Sequence, residues 1–161
     1  MYTVLQNLAL TSFDESCWMS SIRHLIAVND QYSEIFTQRF EIEDTDLEYS
    51  DTEGELTTLL INANYLASSS WRGCTPKYHI EVKTTMGRMD YPFLCSQKQF
   101  DDMESMELPD GESNADDVYL IARVFGLGSS RMGMKLYLDP WKLRRTKKLK
   151  FVANVYQVTP R

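Results

Sequence analysis

Residues 77–85 constrain the fold of this chain more than any other segment. Apolar and polar side chains alternate along them, and the polar set is His79, Glu81 and Lys83. Because successive side chains of a strand point to opposite faces, the alternation predicts a β-strand with one apolar and one charged face. A carboxylate and an ammonium then project side by side from the same face of a sheet.

The other segments predict helices and further strands around this one. Apolar spacing and capping residues predict helices at 1–10, 15–28, from Asp51 or Thr52 through Ala63, from Ser96 to about Met106, and at 141–145. Strands are predicted at 36–40, 45–49, 118–125, 134–138 and 151–158, and loops at 68–73 and 107–117. This order predicts an α/β (α+β) domain with a mixed central sheet flanked by helices, in contrast to a regularly alternating doubly wound fold.

The length and composition suit one domain. A chain of 161 residues that is 43% hydrophobic can build its own core, so residues 1–161 are expected to form a single unit. No apolar run approaches the roughly 20 residues of a membrane span, and the first residues lack a secretory signal pattern. The three cysteines have no paired spacing. We therefore expect an intracellular protein, nuclear or cytoplasmic, with no membrane partner.

Charge is distributed unevenly along the chain. Residues 41–55 and 101–117 each hold eight acidic side chains, together 16 of the 23 carboxylates. The net charge of −6 argues against binding nucleic acid over the whole surface. The rest of the chain is net basic, and the segment 142–150, called the basic run below, concentrates six cations: Lys142, Arg144, Arg145, Lys147, Lys148 and Lys150. The basic run is the predicted nucleic-acid contact.

Glu81 and Lys83 form a pair that fits two interpretations. A carboxylate binds a hard cation such as Mg²⁺ through oxygen, and a neighbouring lysine holds a phosphate or a water close to that ion. A solvated salt bridge explains the same pair and contributes little energy. His79, beside them, is either a phosphate contact or a hydrogen-bonding residue at the sheet edge.

Three sequence features follow one another around this strand. The strand ends in Ile-Glu-Val-Lys-Thr-Thr at 80–85, Pro-Phe-Leu-Cys-Ser at 92–96 leads into a helix, and an apolar strand follows at 119–125. In this order they resemble the C-terminal domain of NO VEIN-like proteins, a family allied to Mrr-type restriction endonucleases. The resemblance covers about residues 71–125, and the fungal branch of the family continues through 134–158. It implies a restriction-endonuclease-like PD-(D/E)xK fold.

The resemblance also implies an aspartate on the preceding strand. In active members of the superfamily that aspartate joins the Glu-x-Lys strand at a metal ion, and the matching residue here is Asp46. Asp44, Glu48 and Asp51 are rivals for the same part. The sequence departs from the family in two places, since the first helix carries Gln6 where a glutamate is frequent and no proline precedes Asp46.

The implied catalytic residues are Asp46, Glu81 and Lys83. The two carboxylates would bind Mg²⁺ (or Mn²⁺) together with the Val82 carbonyl oxygen, and Lys83 would orient water or stabilise developing charge.

Three functions remain consistent with the sequence. The first is a metal-dependent nuclease that hydrolyses phosphodiesters of DNA or RNA. The second is a catalytically inactive domain that serves as a protein-interaction or regulatory module, and the third is nucleic-acid binding without cleavage. Because the family domain usually lies at the end of large proteins, the chain is expected to be a fragment whose partners include the other domains of its parent protein.

Overall fold

The computed structural model describes residues 8, 10–20, 45–110 and 114–152. Within these ranges the strands are β1 (Leu47–Ser50), β2 (Lys77–Thr84), β3 (Asp117–Phe125) and β4 (Gly133–Leu138). The α-helices there are α1 (Glu55–Asn62), α2 (Ser68–Trp71), α3 (Gln97–Ser105) and α4 (Pro140–Arg145), and a 3₁₀ turn covers Glu15–Cys17. None of the helices in this part of the chain is long and apolar enough to cross a membrane.

The strands form one mixed sheet in the order β1-β2-β3-β4. β2 pairs antiparallel with β1 and parallel with β3, and β3 pairs antiparallel with β4. The parallel pair needs a crossover, which contains α3, whereas the hairpin loop 126–132 joins β3 to β4 directly. Gly126 begins that hairpin at φ 63°, where a Cβ would lie 2.8 Å from the Arg131 carbonyl oxygen. β2 is thus an interior strand.

Helices cover both faces of the sheet. The face that carries Tyr78 and Ile80 packs against α1 and α2 and forms the larger core cluster. The opposite face carries Tyr119, which packs against Met103 of α3 in a second cluster. The alternation of β2 therefore sends its apolar residues into the larger core and turns its polar residues toward α3.

The predicted α/β architecture, a mixed sheet flanked by helices, is confirmed. The segment predicted from alternation is the interior strand β2, and β1, β3 and β4 match the strands predicted at 45–49, 118–125 and 134–138 to within a few residues. The Ser96 hydroxyl caps α3 by accepting the Gln99 backbone N–H, and Asp139 caps α4 ahead of Pro140.

Three local predictions are wrong. Residues 15–17 form a 3₁₀ turn and Trp18 makes a β-bridge with Leu47, so the helix predicted at 15–28 does not begin there. The loop predicted at 68–73 contains the short helix α2, because Trp71 at its end is buried in the core. Residues 151–152 are not a strand, since Phe151 packs its ring on Phe100 instead. The predictions for 1–7, 9, 21–44, 111–113 and 153–158 lie outside the described residues, and residues 8 and 10, at the end of the helix predicted at 1–10, are not helical.

Candidate functional site

Asp46 lies directly before β1 and across from Glu81 of β2. The antiparallel register of the two strands, continued by one residue, places these side chains opposite each other on the face toward α3. Asp46 Oδ2 accepts a hydrogen bond from the Val82 backbone N–H at 2.9 Å. The Asp46 carbonyl oxygen accepts backbone hydrogen bonds of 2.9 and 3.2 Å from residues 19 and 20. Hydrogen bonds therefore hold both the side-chain carboxylate and the backbone carbonyl group of Asp46.

Glu81 belongs to a hydrogen-bond network at the start of α3. Its Oε1 lies 2.9 Å from Lys83 Nζ and accepts a hydrogen bond from Gln99 Nε2 at 2.7 Å. Gln99 Oε1 accepts from Lys83 Nζ and from the Ser96 backbone N–H, both at 3.0 Å. Gln99 thus joins the carboxylate to the ammonium while its own position is set by the helix cap.

The two carboxyl groups influence each other. Glu81 is only 4% exposed, and burial raises its pKa. The hydrogen bond and charge of Lys83 lower the pKa of Glu81, whereas the charge of Asp46 raises it further. Two ionised carboxylates that face each other repel unless a cation lies between them.

The donors suit a hard divalent cation. Asp46 and Glu81 supply carboxylate oxygens, and Mg²⁺ is commonly held by one or two carboxylates while it keeps several waters. Within the described part of the chain no group of three or more His, Cys, Asp or Glu side chains is arranged to hold a metal ion. Backbone oxygen, such as the Val82 carbonyl, and water would therefore complete the coordination. The structure brings Asp46, Glu81 and Lys83 together, and their catalytic and metal-binding roles stay predictions.

The rival carboxylates have structural partners. Glu48 pairs with Lys77 at 2.6 Å. Asp51 is fully buried and accepts backbone hydrogen bonds of 3.2 and 2.7 Å from the first turn of α1. Asp44 lies outside the described residues. Of the three candidates whose positions are described, which are Asp46, Glu48 and Asp51, Asp46 is the one that lies opposite the carboxylate of β2.

His79 is enclosed by acidic side chains. Its Nε2 lies 2.7 Å from Asp117 Oδ1, and its Nδ1 lies 3.4 Å from Glu48 Oε1. The ring is buried, and these contacts connect β2 to both of its neighbours. The geometry favours the hydrogen-bonding role, and a phosphate contact by His79 stays a prediction for which the imidazole has little exposed surface.

The basic run divides into two groups. Five of its cations are exposed and Lys142 is half-buried. Arg145 pairs with Glu107 and with Asp110, the latter at 3.1 Å, and Lys142 Nζ lies 3.8 Å from the same Asp110. The described ranges give no carboxylate partner to the other four, which are Arg144, Lys147, Lys148 and Lys150. Within the described part of the chain, the predicted nucleic-acid contact therefore contains two cations paired with carboxylates and four without such a pair.

Sequence reasoning missed the role of Gln99. The available signal was the spacing of Ser96 and Gln99, which is that of a capping box and places the glutamine in the first turn of a helix. The spacing does not reveal that the same side chain reaches across to the sheet.

Sequence reasoning also missed two polar residues of β3. The hydroxyl of Tyr119 is buried without a hydrogen-bond partner in the described part of the chain, and burial, followed by the charge of Glu81, raises its pKa. Arg123 is buried beside Lys83 in the parallel register, donates to the Tyr91 carbonyl oxygen at 3.0 Å and lies over an aromatic ring of the same loop. Both lie in an apolar run that predicted only a buried strand.

Comparisons of the chain with protein-family models, with curated proteins and with solved structures each found no match. Function is therefore inferred from the side chains at the site and from the sequence resemblance.

Proposed function

We propose that this chain is a PD-(D/E)xK-type nuclease domain that hydrolyses nucleic-acid phosphodiesters with Mg²⁺ or Mn²⁺. The observation that carries the proposal is the convergence of Asp46, Glu81 and Lys83 on one face of the sheet. Asp46 comes from the segment before β1, whereas the other two come from β2, and Glu81 and Lys83 are 2.9 Å apart. The sequence resemblance supports the same three residues.

Each residue has a defined part in the proposed reaction. Asp46 and Glu81 would hold the cation, and the Val82 carbonyl oxygen would be available as a further ligand. When bound, the cation supplies Lewis acidity and lowers the pKa of a water. Lys83 places a positive charge where negative charge develops on the phosphoryl oxygens as water attacks phosphorus and the P–O bond to the leaving group breaks. Gln99 positions Lys83 against Glu81.

An inactive interaction module is the second candidate, favoured by a separate observation. Two neighbouring loops are joined by a hydrogen bond from the Gly126 N–H to the Gly87 carbonyl oxygen. They expose several large apolar side chains: Met86, Leu94, Leu127 and Met132. Exposed apolar groups on adjacent loops are typical of protein contacts. In this alternative the Glu81–Lys83–Gln99 network is a structural ion pair.

A cleavage assay separates the two candidates. Single- and double-stranded DNA and RNA are incubated with the wild type and with Lys83→Ala in Mg²⁺ or Mn²⁺, and circular dichroism verifies that both are folded. We expect metal-dependent cleavage that falls by roughly 100-fold or more in Lys83→Ala, the magnitude of losing one charge-stabilising group. Lys135→Ala, which removes an exposed cation of β4, should retain full activity.

Two results would contradict the proposal. One is a folded wild type that cleaves none of the four substrates with either metal. The other is cleavage that persists unchanged in folded Lys83→Ala, because the activity would then come from another site.

A further inference from the structure

An open cavity of about 390 Å³ lies at the C-terminal end of α4. Its lining consists of three cations and two apolar residues: Arg144, Lys147, Leu149, Lys150 and Phe151. The three cations are among the four of the basic run that lack a carboxylate partner in the described ranges. Its volume falls within the roughly 300 to 1,000 Å³ of typical ligand sites.

Aromatic rings, not carboxylates, hold the arginine of this cavity. The Arg144 guanidinium lies 4.4 Å from the Trp141 ring centroid and 5.2 Å from that of Phe100. Such contacts orient a guanidinium without neutralising it. Its neighbour Arg145 turns instead to Glu107 and Asp110. The chain carries a net charge of −6, yet the charge that faces this cavity is positive and has no carboxylate partner among the described residues.

We propose that this cavity binds the backbone of single-stranded nucleic acid, with a base against Phe151 and Leu149. Phosphates complement the three cations, and an unstacked base offers the flat apolar surface that suits the two remaining residues. A duplex keeps its base faces stacked inside and offers phosphates alone. This inference rests on the proposed function, because it names the form of nucleic acid that the site would receive.

The cavity is connected to the candidate site through α3. Phe100 contacts Phe151 with ring centroids 5.7 Å apart, and the preceding residue, Gln99, donates to Glu81. Consecutive Cα atoms are only about 3.8 Å apart. The cavity and the Gln99 network therefore meet at the first turn of α3.

Fluorescence anisotropy with a labelled thymidine strand of about 12 nucleotides, a length within the range of known single-strand sites, measures this binding. EDTA is present, so that cleavage plays no part. The test variant is Lys147→Gln/Lys150→Gln, which leaves the packing of Arg144 intact. The matched control is Lys142→Gln/Lys148→Gln, which removes two charges from the same run outside the cavity.

We expect the test variant to bind about tenfold more weakly than the wild type and to lower the slope of log K against log salt by about 1.4, since each single-strand phosphate contact contributes about 0.7. The control variant should lose less than half as much binding affinity, and less than half as much of the salt slope, as the test variant. An abasic strand of the same length, and a duplex, should bind the wild type more weakly than the thymidine strand.

Several outcomes would overturn the inference: no binding by the wild type, equal losses in both double variants, or an abasic strand or duplex that binds as tightly as the thymidine strand. The last would identify a general polyanion surface. Failure of the proposed function is distinguishable, because a strand would then bind in the cavity without being cleaved when Mg²⁺ is added.

Discussion

Replacing Gln99 by methionine removes the amide that joins Glu81 to Lys83. Methionine keeps the side-chain length and a similar helix propensity. The change deletes three hydrogen bonds, to Glu81 and from Lys83 and the Ser96 N–H. A hydrogen bond to a charged group contributes about 1.5 to 3 kcal/mol. Because Glu81 and Lys83 still pair with each other in the variant, we expect the free energy of unfolding to fall by only about 2 to 3 kcal/mol. In a chain of this size that lowers the Tm by roughly 4 to 12 °C.

Urea denaturation followed by circular dichroism measures this loss, with Gln97→Met as the matched control. Gln97 lies two positions earlier on α3, is exposed, and donates to Asp101 one turn away. Such a surface pair contributes only about 0.2 to 0.5 kcal/mol. If the two variants differ by less than about 0.5 kcal/mol, the Gln99 network does not stabilise the fold and the reasoning about the site's rigidity is wrong.

Two further changes test buried carboxylates. Asp51→Ala should lower the free energy of unfolding, measured by urea denaturation, by about 3 kcal/mol. The reason is that it leaves buried backbone N–H groups in the first turn of α1 without an acceptor. A loss under about 1 kcal/mol would contradict the capping role of Asp51. The pKa of Glu81 is raised, so the folded state binds the proton of this carboxyl group more tightly than the unfolded state does. The free energy of unfolding should therefore fall as pH rises from 4.5 through the raised pKa. In metal-free buffer, Glu81→Gln should make the free energy of unfolding less dependent on pH in this range. The change should be about 1.4 kcal/mol for each tenfold difference in proton affinity between the folded and unfolded states. An unchanged slope would mean that another group causes the pH dependence.

The segments that were predictable from sequence are those whose local signals agree with their tertiary surroundings. β2 has strict alternation with an apolar face that enters the core, and α3 begins at a serine that caps it. Trp18 and Trp71 show where such reasoning fails. Trp18 joins the sheet beside Leu47, and burial of Trp71 stabilises a one-turn helix in a serine-rich segment. Both outcomes depend on partners far along the chain, which no local pattern records.

The candidate site was predictable in part for the same reason. Glu81 and Lys83 share a face by strand geometry alone, whereas the choice of Asp46 over Glu48 required the register of β1 against β2. The division of the basic run required knowledge of which cations meet Glu107 and Asp110. Long-range electrostatic pairing of this kind leaves no periodic signal in the sequence.

Whether Asp46 and Glu81 bind a cation together is measured by calorimetric titration of Mg²⁺ into the wild type, Asp46→Asn and the matched control Glu48→Gln. We expect one ion per chain in the wild type and the control, and no binding in Asp46→Asn. At about 100 times the Kd, the ion should stabilise the wild type against unfolding by about 2.7 kcal/mol. A wild type that releases no heat of binding and shows no shift in Tm, or an Asp46→Asn variant that binds as the wild type does, would contradict a shared metal site.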